Sequence, residues 1–273
     1  MSTQPEQRDA DAWAAKVDRL AVGDGHINLT GRRPTAPMNG FGRMWQKTYR
    51  ARLGSAVSAH AVGPPGLDEP AAVPPEITPQ VVISEWKANF PQFWPSGNRF
   101  FAPLAGIAPG EVAALDLSMP GGLKLSTGVL VLYADDESFT LMTPQGHMFA
   151  GWITFGAFVE DEQLWAQAQV LMRASDPLYE LGMSFGGHRQ EDRHWMHTLS
   201  ALSAHLGIEA EVTAETICVD RRRQWSRAGN VWHNAGIRSA VHLAGTPLRL
   251  VRHPRSSSRS QVEHRNDAGT PAT

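Results

Sequence analysis

The stretch from Glu111 to Gly207 constrains this chain most. It holds a series of short segments broken by turn residues, followed by one long amphipathic segment. Short apolar-rich runs between turn residues predict strands over Val112–Leu117, Gly128–Tyr133, Ser138–Thr143, Ala150–Val159 and Leu164–Arg173, and the last of these alternates apolar and polar residues. The turns between them are Pro120-Gly121-Gly122, Ala134-Asp135-Asp136-Glu137, Thr143-Pro144-Gln145-Gly146-His147 and Glu160-Asp161-Glu162. Short turns join antiparallel neighbours, so the segments predict a meandering antiparallel sheet. Asp176-Pro177 then opens a helix running to Leu206, with Gly207 as its stop. Leu178, Leu181, Phe185, Trp195, Leu199, Leu202 and Leu206 recur at helical spacing, and Gly186-Gly187 marks a kink. A sheet that curves around such a helix leaves a cavity between them, so the expected class is α+β and the expected object is a container.

The flanking segments follow the same logic. Met44–Leu53 alternates through Trp45, Lys47 and Tyr49 and predicts a first strand. Thr78-Pro79 caps a helix that ends at Phe90-Pro91. Val212–Val219 predicts a further strand, followed by Arg221-Arg222-Arg223, a segment with Trp225, Trp232 and His233, and a last strand near Ala240–Val251. Residues 1–43 read as an arm with a short helix at Ala10–Leu20, 44–207 as the main domain, 208–253 as a C-terminal strand extension, and 254–273 as a disordered tail. Gly54–Pro75 is rich in Gly, Pro and Ala and reads as a long surface connection.

Composition narrows the function classes. With 42% hydrophobic residues and 19% charged, the chain can bury a sizeable core. A net charge of −2 gives no drive toward nucleic acid, and Arg221–Arg223 reads as a solvated turn. No apolar run approaches the roughly 20 residues of a spanning helix, so no membrane insertion is expected. Met1–Ala14 is polar and acidic, unlike a secretory signal, and a lone Cys218 suits a reducing cytoplasm. Asn28-Leu29-Thr30 fits a glycosylation pattern, which has no meaning in that compartment. Phosphate-loop, dinucleotide and paired-cysteine patterns are absent from the sequence, and no cofactor or metal is expected.

Two motifs invite sharper readings. Gly182-Met183-Ser184-Phe185-Gly186 spells the G-x-S-x-G nucleophile pattern, but a helical turn precedes it where the strained elbow needs a strand. His188, Glu191, Asp192, His194 and His197 resemble metal-ligand density, yet on one helix they point in different directions and do not converge. Within that group, His188 and Asp192 lie one turn apart on the stripe facing the sheet. They form either a structural pair or a polar anchor in an apolar cavity.

Residues 44–207 resemble the helix-grip fold of START and Bet v 1-like proteins, the SRPBCC superfamily, in the order strand, helix, strand meander and long helix. Phe139-Thr140-Leu141-Met142-Thr143-Pro144-Gln145-Gly146-His147, with Arg173–Pro177, is similar to a "TLPGHP…GEE.F" segment of an uncharacterised bacterial and plant domain family. Met148 stands where that family has proline, and Gly151-Trp152 where it has Gly-Glu, so the glutamate's role does not carry over. The resemblance implies binding of a mostly apolar small molecule in a cavity between sheet and helix. The expected contacts are Trp86, Phe100, His147, Trp152, His188, Asp192 and Trp195, with Ala166 and Ala168 beneath the helix. The alternatives are an enzyme on the same scaffold, with His188 or His147 as acid–base group, and an interaction module; an oligomer fits any of them.

Overall fold

Period-two patterning is clearest in the long central strands of the one sheet, which among the described residues has eight antiparallel strands. In chain order they are β1 (Met44–Ser55), β2 (Arg99–Phe101), β3 (Val112–Ser118), β4 (Lys124–Ala134), β5 (Ser138–Met142), β6 (Phe149–Glu160), β7 (Gln163–Ala174) and β8 (Val212–Asp220). The computed structural model describes residues 28–29, 31–55, 77–119 and 124–241. The sheet order is β2-β3-β4-β5-β6-β7-β1-β8, so the first strand closes the meander beside β7 and carries β8 on its outer edge. Register shifts at Arg52/Gly54 and Val131/Tyr133 add the local twist that curves the sheet. Asp161 and Glu162 form the β6–β7 hairpin tip with φ of 49° and 59°, the left-handed pair that a two-residue turn demands.

Helices α1 (Pro79–Asn89), α2 (Pro177–Gly182) and α3 (His188–His205) cover the concave face. Thr78 caps α1 by accepting the Val81 N–H at 3.3 Å, and Pro79 stands at the first helical position. A short 3-10 turn, Phe90–Phe93, follows at the proline. Asp176 caps α2, its Oδ1 accepting from Leu178 N and Tyr179 N at 2.8 and 3.1 Å. Between α2 and α3 a π turn, Met183–Gly187, contains Gly186 at φ 110°. This is the kink that Gly186-Gly187 predicts. A long helix gripped by a curved antiparallel sheet is the helix-grip arrangement.

One part of the helix stripe differs from expectation. Leu199 and Leu202 are fully buried against the sheet, and Trp195 is half-buried. Leu181 and Phe185, by contrast, are 56% and 83% exposed, and Leu178 is exposed beside them. The left-handed residue at Gly186 breaks the helical phase, so one continuous stripe does not cross it.

The packed core fills the end beneath α1. Trp86 and Phe90 meet Phe139 and Phe155 in edge contacts at 5.1 to 6.0 Å, and Phe139 stacks on Phe155 at 4.6 Å. Leu164, Ala166, Ala168, Val170 and Met172 form the buried face of β7, as their alternation predicts. Ala166 and Ala168 are fully buried and do not line the cavity between α3 and the sheet. Beyond β8, a 3-10 segment, Trp225–His233, leads back to the opposite end of the sheet. There Ala235 N donates to Gly146 O at 2.9 Å, Asn234 Nδ2 to Asp176 Oδ2 at 2.7 Å, and Gly236 N to the Tyr179 hydroxyl at 3.2 Å. Gly146, at φ 92°, leaves no room for a side chain: a Cβ there would sit 2.1 Å from His233 O.

The described residues up to Ser239 belong to one compact unit, and Ala240 and Val241 are the described residues of another. The expected helix at Ala10–Leu20, the connection after Ser55, the turn at Pro120–Gly122, residues 242–251 of the last expected strand, and the tail lie outside the described residues. Residues 235–241 are helical where that strand was expected to begin. No described helix is long and apolar enough to cross a membrane.

Candidate functional site

The end of the grip opposite α1 is hollow. A cavity of about 750 Å³ lies between α3, the π turn and the inner face of β3–β7. Leu115, Val129, Leu141, Ile153, Val170 and Met172 line its sheet side. Trp94, His194 and Trp195 form an aromatic wall: His194 stands edge-on to Trp94 at 4.8 Å and to Trp195 at 4.6 Å. Across the mouth, Gln190 Nε2 on α3 donates to Ser118 O at the end of β3, 3.1 Å away. Arg189, Arg193 and His197 complete the α3 rim.

The polar groups that line the cavity include His147, His194 and Glu191. His147 is buried, and its Nδ1 accepts the Phe149 N–H at 3.0 Å, so the neutral ring carries its proton on Nε2. Burial pushes its pKa down to about 4. His194 is also pushed down to about 4, by burial first and then by His197, and its Nε2 is buried without a hydrogen-bond partner. Glu191 is 7% exposed and lines the cavity, and burial raises its pKa to about 7 against the opposing pull of Lys47.

Lys47 explains how α3 is seated. It points inward from β1 and is 1% exposed, a position its alternation with Tyr49, Ala51 and Leu53 dictates. Its Nζ lies 2.7 Å from Asp192 Oδ1 and 2.9 Å from Glu191 Oε2, and donates to His188 O at 3.3 Å. The Glu191 oxygen is close to Lys47 but badly aligned for a hydrogen bond, so it stays poorly satisfied. Tyr49 donates its hydroxyl to Asp192 Oδ1 at 2.8 Å, and burial, with Glu191 and Asp192 beside it, keeps that hydroxyl protonated. One buried cation therefore serves two carboxylates, which favours a proton on the more deeply buried Glu191.

The seven expected contacts divide. His147, Trp152 and Trp195 border the cavity. Trp152 does so although its parity in β6 is opposite to that of Ile153 and Phe155. Trp86 and Phe100 belong to the solid aromatic core beneath and beside α1. His188 and Asp192 face β1: the His188 ring stands on Trp45 at 4.8 Å, and Asp192 is held by Lys47 and Tyr49. Burial and Lys47 push the His188 pKa down to about 4, while Asp192 opposes them. The two side chains are not hydrogen-bonded to one another. Sequence reasoning weighed Glu191 only as a metal ligand and gave Lys47 no role at the site, although an inward lysine on a half-buried strand demands an acidic partner. Ser184 donates to Glu180 O at 3.2 Å, as a helix serine does, and has no elbow around it. Among the described residues no group of His, Cys, Asp and Glu is arranged to hold a metal ion.

No family model matches the sequence, and no curated protein does. Solved structures similar to this chain include a START superfamily protein from Mycobacterium smegmatis, 17% identical over 61% of this chain and 98% of that one, at a TM-score of 0.36. The di-domain ARO/CYC StfQ of the steffimycin biosynthetic pathway is 11% identical over 63% of this chain and 54% of its own length, at 0.42. Ara h 8.0201 is 10% identical over 48% of this chain and 90% of its own, at 0.36. Strand order and helix placement, rather than these likenesses, identify the helix grip.

Proposed function

We propose that this protein binds a mostly apolar small molecule in the cavity between the sheet and α3. The observation that carries the reading is the cavity itself. Its volume of about 750 Å³ falls within the ~300–1,000 Å³ range of ligand pockets, its walls are mainly apolar, and a few polar groups converge on it. Trp94, Trp152 and Trp195 supply flat apolar contact, while His147, His194 and Glu191 orient a polar substituent. Trp86 and Phe100 stiffen the closed end, and His188 and Asp192 hold α3 in place on β1. The half-buried, unpaired Cys218 suits a cytoplasmic location.

Native mass spectrometry of freshly purified protein tests this directly, together with titration by the neutral fluorescent probe N-phenyl-1-naphthylamine. The expected result is a small-molecule mass released on denaturation, or saturable probe binding at one site. Bare protein that also ignores the probe would overturn the reading.

Glu191 favours one second reading, catalysis on the same scaffold. A buried carboxyl with a pKa of about 7, facing an enclosed cavity, can give or take a proton near neutral pH. In that case Glu191→Gln keeps probe affinity and abolishes turnover of whatever molecule is recovered, whereas a pure carrier shows no turnover in either form.

A further inference from the structure

We propose that the mouth of the cavity is a head-group site for an anion, so that the molecule taken is an amphiphile with a carboxylate, sulfate or phosphate end. This rests on the container reading above and names the class of its ligand. The protein as a whole has a net charge of −2, yet the cavity rim is basic. Arg189, Arg193 and His197 stand four residues apart, so they share one flank of α3, and all three border the cavity.

Arg189 and Arg193 are exposed, and among the described residues neither guanidinium meets a carboxylate. Arg193 Nε donates to Arg189 O at 3.3 Å, which steadies its fork along the helix and leaves the terminal nitrogens free for an outside acceptor. The acidic residue among those bordering the cavity is Glu191, which lies deep and is engaged by Lys47. Like charges four apart on a helix repel, so this spacing has a cost that an anion between them removes.

The apolar parts have the matching arrangement. Trp94, Pro95, Leu117 and Met119 line the same cavity as the arginines, and its interior is lined mainly by aliphatic and aromatic side chains. A molecule with its tail inward and its charge at the rim satisfies both. Guanidinium forks suit planar or tetrahedral oxyanions, which bind them with two parallel hydrogen bonds.

The test compares decanoate with 1-decanol, each displacing N-phenyl-1-naphthylamine from the full chain at about pH 8, where the carboxylate is ionised. In the wild type, decanoate should displace the probe at about tenfold lower concentration than decanol, as a charge-assisted hydrogen bond warrants. That advantage should shrink as salt is raised. In the double variant Arg189→Gln/Arg193→Gln the advantage should vanish while decanol binds as before. Both side chains are exposed, so the variant folds, and decanol serves as its internal control. Equal displacement by acid and alcohol in the wild type, or an acid preference that survives in the double variant, overturns the head-group site and leaves the container standing. A wild type that binds neither probe nor decanol overturns the container and this inference with it.

Discussion

Replacing Glu191 by Gln should change how stability depends on pH, and the size of the change follows from the site. In the folded protein burial raises the Glu191 pKa from its ordinary value near 4.5 to about 7. The folded state thus holds this proton more tightly than the unfolded chain. Its contribution is complete below about pH 4.5 and is lost as pH rises toward 7, a loss of roughly 3 kcal/mol. Most of that, roughly 2–3 kcal/mol, falls between about pH 5 and pH 8. Gln cannot titrate, so Glu191→Gln removes this dependence. His147, His188 and His194, each pushed down to about 4, act in the opposite direction, since they stabilise as pH rises from about 4 to 6.5. Both proteins carry them, so they cancel in the difference. Urea denaturation of wild type and variant across this range measures that difference. The stability of the variant relative to wild type should rise by roughly 2–3 kcal/mol from pH 5 to pH 8, at unchanged denaturant slope. Parallel curves would show that Glu191 ionises without cost, and the reading that Lys47 under-neutralises two buried carboxylates would be wrong.

Other substitutions probe the frame of the site. Lys47→Met leaves two carboxylates against β1 without their cation and should cost roughly 3 kcal/mol at about pH 8, less in acid where Glu191 is protonated; urea midpoints at two pH values check this. Glu162→Gly relieves a side chain held at φ 59° in the β6–β7 turn and should stabilise by about 1 kcal/mol in thermal unfolding. Gly146→Ala forces a Cβ to within 2.1 Å of His233 O at φ 92°. It should destabilise by roughly 2 kcal/mol and raise hydrogen exchange at Ala235, whose N–H is bonded to Gly146 O.

Much of the frame was legible because it depends on local pattern. Apolar runs between turn residues, with alternation in β1 and β7, located β1 and β3 to β8 to within a few residues, and Asp176-Pro177 and Thr78-Pro79 marked two helix starts. What depends on long-range packing was not legible. Leu178, Leu181 and Phe185 continue the helical stripe on paper, but one left-handed glycine turns them to solvent. Trp86 and Phe100 are as plausible a cavity lining as Trp195 until α1 is seen to fill one end of the sheet and leave the other open. Lys47 was legible in principle, since the alternation that buries Tyr49 and Ala51 buries it too. Its choice of Glu191 and Asp192 depends on how α3 is rotated, which no local signal encodes.

If the space between α3 and the sheet is the binding site, filling that space should abolish binding. Val170 is buried on the cavity wall, on a strand paired on both sides, so Val170→Trp adds a large side chain into the void with little alternative. The affinity of N-phenyl-1-naphthylamine should fall by at least about tenfold in the variant, a loss of roughly 1.4 kcal/mol, while the unfolding transition stays cooperative. A folded variant that binds the probe as tightly as the wild type would contradict the account, because the probe would then be held somewhere else.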